Sequence, residues 1–125
     1  MNAATVFDRV GGAEFFWGLT SAFYSRVRTD PVLLALYPQP DDLDRAAQRL
    51  ALFLMQYWGG PTTYSDERGH PRLRMRHAAY PIDEAMRDRW LSHMNATLDA
   101  AGLSADVLHE MRDYFVRGAD HLRNV

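Results

Sequence analysis

Wherever apolar residues recur in this chain they recur in steps of three and four, and glycine and proline cut the recurrence into blocks. From Ala13 onward, Phe16, Leu19, Phe23 and Val27 fall on one helical face. Asp30-Pro31 stops that helix, because a residue before proline is pushed away from α geometry. A second long helix starts at Asp41-Asp42, whose carboxylates are placed to accept from its first free N–H groups. It runs to about Trp58, with Leu43, Ala46, Ala47, Leu50, Phe53, Leu54 and Tyr57 on one broad face. Pro81 and Asp83 open a third helix, in which Met86, Trp90, Met94, Thr97 and Leu98 keep step until Gly102. Ser104 caps a fourth, along Val107 or Leu108, Met111, Tyr114 or Phe115, Ala119 and Leu122. Shorter helical turns are expected within residues 3–10, before Gly11-Gly12, and over Val32–Tyr37, closed by Pro38 and Pro40. No segment shows sustained strand alternation, so the chain reads as all-α.

Length and composition narrow the function. At 125 residues a single domain over 1–125 is expected, and 47% hydrophobic residues suffice for a core. The absence of cysteine excludes disulfide scaffolds, thiolate metal sites and thiol nucleophiles. A formal charge of −2 leaves no basic footprint for nucleic acid. No apolar run approaches the roughly 20 residues of a membrane span, and no signal peptide is recognisable, so a cytoplasmic protein is expected. Three Trp, six Tyr, six Phe and six Met suit the irregular space around a large flat ligand. They fill an ordinary core equally well.

The chemistry centres on the stretch between the second and third helices. Gly59-Gly60-Pro61 breaks the helix, residues 61–70 read as an extended loop, and Pro71 can start a short helix ending at His77. Of the five histidines, His93, His109 and His121 lie within long helices and read as structural. His109-Glu110 lacks the second histidine of a metalloprotease helix, and Glu67-Arg68-Gly69-His70 has the di-iron spacing only once, in a loop. His77 differs, because a short tethered helix can present a neutral imidazole to iron while its other ring nitrogen donates to a backbone carbonyl. Arg72, Arg74 and Arg76 beside it suit the carboxylates of a haem or a solvated basic face. Tyr24, Tyr37 and Trp90 are polar aromatics that could converge on one cavity, or be satisfied singly in the core. Spacing alone favours the structural alternative for each of these residues.

Longer motifs tip that balance. Val10-Gly11-Gly12, Phe23-Tyr24, Leu36-Tyr37-Pro38, the run from Gln56 to Tyr64, the run from Arg68 to His77, and Arg87-Asp88-Arg89-Trp90 occur in this order. Together they resemble a truncated haemoglobin of the second group, over essentially the whole chain. The resemblance implies a two-over-two helical sandwich in which loop replaces most of the helix before the proximal histidine. It further implies His77 as the iron ligand, Tyr24, Tyr37 and Trp90 as distal polar residues, Ala46 at the distal gate, and Leu50 capping the distal side. Arg49, Phe53, Leu54, Tyr64, Leu73, Arg76 and Met86 are expected to contact haem b (iron protoporphyrin IX). The connection Pro38-Gln39-Pro40-Asp41 is one residue longer than the family pattern, and Ala46 is placed by counting back from Trp58-Gly59-Gly60.

The expected function is reversible binding of O2, CO and NO. The alternative is an enzyme, an NO dioxygenase or peroxidase. No flavin or nicotinamide domain is present, so turnover would draw on an external reductase. Monomer and homodimer both remain open, with Trp58 expected as an exposed aromatic available to an interface.

Overall fold

In the computed structural model, which describes residues 4–125, every regular element is a helix. They are α1 (Val6–Arg9), α2 (Ala13–Val27), α3 (Pro31–Leu34), α4 (Leu43–Tyr57), α5 (Thr63–Arg68), α6 (Leu73–His77), α7 (Glu84–Asp99) and α8 (Ala105–Leu122). Residue 3, where the first turn was expected to begin, lies outside the described residues. Helix α2 packs on α4 and α7 on α8, with α2 also meeting α7, which is the two-over-two arrangement. Among the described residues no helix is long and apolar enough to cross a membrane.

The caps divide into those that form and those that do not. Thr5 and Asp8 make a capping box on α1, Asp30 accepts from Leu33 N–H on α3, and Asp83 accepts from Met86 N–H on α7. Asp42 and Ser104 occupy N-cap positions without a side-chain bond to the helix, contrary to expectation. Asp42 instead faces Arg45 at 3.8 Å.

Gly59-Gly60 does more than end α4. The Phe7 N–H donates to the Trp58 carbonyl at 3.0 Å, which lays α1 directly over the diglycine. A Cβ on Gly59 would stand 2.5 Å from Thr5 Cγ2, and one on Gly60 would stand 2.6 Å from Phe7 Cδ2. With φ of +96° Gly59 also occupies the left-handed region that glycine tolerates.

Three local expectations are corrected. The loop over 61–70 contains α5, because Gln56 clasps it from α4: its Oε1 accepts from Ser65 N–H at 3.0 Å and its Nε2 donates to Ser65 Oγ at 2.6 Å. That supplies an acceptor to a first-turn amide that Thr62 leaves without a side-chain cap. Helix α6 begins at Leu73, not Pro71, since Arg72 adopts the left-handed conformation at φ 43°. Trp58 is buried among Phe16, Tyr114 and Phe115, whereas Tyr57, assigned to the core face, is 54% exposed. Helix α4 carries two apolar stripes. Ala51, Leu54, Met55 and Trp58 form the one that the core covers, while Ala46 and Leu50 on the other are only partly buried.

Candidate functional site

His77 is the last residue of α6, and its Nδ1 lies 2.6 Å from the Leu73 carbonyl one turn earlier. A carbonyl can only accept, so Nδ1 carries the proton and Nε2 keeps a free lone pair. Among the described residues no three His, Cys, Asp or Glu side chains gather as a metal site. A lone imidazole with a free Nε2 therefore fits a metal whose other ligands arrive with a cofactor. The partly buried Ala46 and Leu50 on α4, which share one face with the buried Phe53, fit the apolar face of such a group, with Leu54 fully buried behind them. Leu73 and Met86 are partly buried against the core.

Arginine positions behave differently from one another. Arg76 is committed to the backbone: its Nε donates to the Pro71 carbonyl at 2.7 Å and its Nη2 to the Arg68 carbonyl at 3.0 Å. It shapes the α5–α6 connection. Arg49 is exposed and lines a surface groove of about 330 Å³ with Arg45, Gln48, Tyr64 and Arg68. Tyr64 is buried edge-on to Phe53, with ring centroids 5.6 Å apart. Arg72 and Arg74 are exposed.

Tyr24 on α2, Tyr37 in the connection after α3 and Trp90 on α7 come together. The rings of Tyr24 and Tyr37 meet edge to face with centroids 5.6 Å apart, and Phe23, next to Tyr24 on α2, packs 4.9 Å from Trp90. Burial, followed by the neighbouring Tyr37, pushes the Tyr24 hydroxyl well above the usual tyrosine value of 10. Burial also raises Tyr37, against interactions with Tyr24 and Trp90 that lower it. A small apolar-walled cluster with three polar hydrogens can turn them toward an electronegative guest.

Sequence reasoning missed the group that ties α3 to α7 beside this cluster. Asp30 is buried and accepts from His93 Nε2 at 2.8 Å and from Arg89 Nη1 at 3.2 Å. Asp-Pro at a helix start signals a cap as well as a stop. Nothing in the local sequence points to His93, 63 residues away.

Comparison with known proteins gives a consistent result. The family model for bacterial-like globins matches residues 5–124. A group 2 truncated hemoglobin of Bacillus subtilis is 41% identical over 96 residues, covering 77% of this chain and 71% of the relative. The crystal structure of a thermostable hemoglobin from Thermobifida fusca superposes with a TM-score of 0.94 at 51% identity, covering 98% of each chain. The group II truncated hemoglobin from Bacillus anthracis superposes with a TM-score of 0.93 at 34% identity, covering 100% of this chain and 95% of that one.

Proposed function

The chain belongs to the bacterial-like globin family, as a truncated haemoglobin of the second group, and from that premise we propose that it binds O2, CO and NO reversibly at a b-type haem held by His77. The family itself supports haem-based binding of small gaseous ligands. The observation that carries the finer reading is the 2.6 Å bond from His77 Nδ1 to the Leu73 carbonyl. It orients the ring, selects the tautomer and leaves Nε2 as the ligating atom.

A haem bound here would be held by His77 and would supply the iron that binds the diatomic ligand. The chain supplies the rest. Tyr24, Tyr37 and Trp90 each carry a polar hydrogen in one aromatic cluster, and a ligand with negative charge at its outer atom offers them an acceptor. Leu50 and the small Ala46 form the distal wall and its opening. Phe53, Leu73 and Met86, with Leu54 behind them, would exclude water from the macrocycle, and Arg49 with Tyr64 would hold its carboxylates. Arg76 assists by holding Pro71 and Arg68, and with them the approach to α6.

Titration with hemin tests the proposal. One equivalent should bind, and the dithionite-reduced protein should give a sharp, shifted Soret band under CO. Failure to retain hemin would overturn it. Adding NO to the oxygenated protein should give a single stoichiometric burst; continuous NO loss with a reductase present would turn the reading toward a dioxygenase.

A further inference from the structure

We infer that Asn124, near the far end of the chain from the distal cluster, is a positioning residue for the proximal histidine; this rests on the reading of His77 as iron ligand. Both ends of the Asn124 side-chain amide, and its backbone N–H, are directed at the end of α6 and its short connection to α7. Its Nδ2 donates to the His77 carbonyl at 3.2 Å and to the Tyr80 carbonyl at 2.8 Å. Its Oδ1 accepts from Ile82 N–H at 2.9 Å, and its own N–H donates to the Ile82 carbonyl at 2.9 Å. The amide orientation is unambiguous, since two carbonyls can only face the NH2 group and an N–H can only face the oxygen.

The location gives the clasp its consequence. His77 closes a helix of five residues, too short to hold its own last turn. Its side chain is fixed one turn back by Leu73, but its backbone is fixed from outside, by Tyr80 N–H at 3.0 Å and by Asn124. Arg74 adds a second tether, donating to the His121 carbonyl at 3.4 Å. The end of α8 thus sets where the imidazole stands. It also anchors the connection that leads directly into α7, which carries Trp90.

Two variants separate positioning from bulk stability. Asn124→Asp keeps the acceptor for Ile82 N–H but removes both donors and sets a carboxylate against two carbonyls; Asn124→Ala removes the clasp. The hemin-loaded ferrous proteins are compared by the iron–histidine stretching band in resonance Raman spectra and by the rate of haem transfer to apomyoglobin. Wild type should show the band. In both variants it should broaden and move to lower frequency, with haem transfer faster by roughly 5- to 30-fold. A wild-type band and transfer rate preserved in Asn124→Ala would overturn the inference while leaving His77 as ligand. A wild type that lacks the band would overturn the proximal assignment itself, and the inference with it.

Discussion

Asp30 and His93, from the start of α3 and the middle of α7, meet at 2.8 Å through Oδ2 and Nε2. The same carboxylate accepts from Arg89 and caps α3 through Leu33 N–H. Helix α3 leads into Tyr37, and Trp90 lies between Arg89 and His93 on α7. One buried carboxylate therefore ties the start of α3 to the middle of α7.

The acid limb of stability follows from this network. Its hydrogen bonds, the one from His93 foremost, hold the Asp30 carboxyl at about 2, below its ordinary 3.8, against the opposing effect of burial. A folded value below the unfolded one means stability that is complete above about pH 4 and lost as pH falls toward 2. Asp30→Asn should lower stability at pH 7 and flatten the loss between pH 4 and 2, followed by urea unfolding at stepped pH. Parallel curves for variant and wild type would deny Asp30 this part.

The alkaline limb has the opposite sign. Tyr24 is raised well above 10 by burial, and Tyr114 is pushed up to about 12 for the same reason. Groups raised in the folded state give stability that is present below pH 10 and lost as pH rises further. Tyr24→Phe should reduce that alkaline loss without abolishing it, because Tyr37 and Tyr114 contribute in the same direction. Unfolding midpoints between pH 9 and 11 that decline as steeply as in wild type would contradict it.

Trp90→Phe keeps the packing against Phe23 and Phe115 but removes the indole hydrogen. Loss of about 1–2 kcal/mol of hydrogen bonding should speed O2 release by roughly 5- to 30-fold, with association little changed. Stopped-flow release at the wild-type rate would remove Trp90 from ligand stabilisation.

Gly60→Ala tests the seating of α1. The added methyl would meet Phe7 at 2.6 Å and the Met55 carbonyl at 2.9 Å. A cost of about 1–3 kcal/mol in urea unfolding is expected, as for other overpacked positions. The ferrous CO spectrum should not change. A stability within about 0.5 kcal/mol of wild type, the range of an ordinary surface substitution, would show that α1 yields freely.

Long-range pairing separates what was legible in the sequence from what was not. Periods of three and four residues sufficed for α2, α4, α7 and α8, because each buries a stripe many turns long. The pattern could not rank the two stripes of α4, so Tyr57 and Trp58 were exchanged: both are aromatic and both meet Tyr114, and only the packing of Phe16 and Phe115 on Trp58 decides which is covered. Helix α5 escaped notice because Gln56 stabilises it from outside. The carbonyl partner of His77 was readable, being one turn away. Tyr24, Tyr37 and Trp90 could be offered as one cluster from their chemistry, but only the family resemblance favoured it, since segments 13 and 53 residues apart leave no periodic trace.

The central claim, iron ligation by His77, is tested most directly by the absorption spectrum of hemin-loaded, dithionite-reduced His77→Gly, with and without added imidazole. The variant should lose the wild-type ferrous spectrum and regain it when imidazole fills the space left by the side chain. A wild-type ferrous spectrum and undiminished haem retention in the variant without imidazole would contradict the assignment.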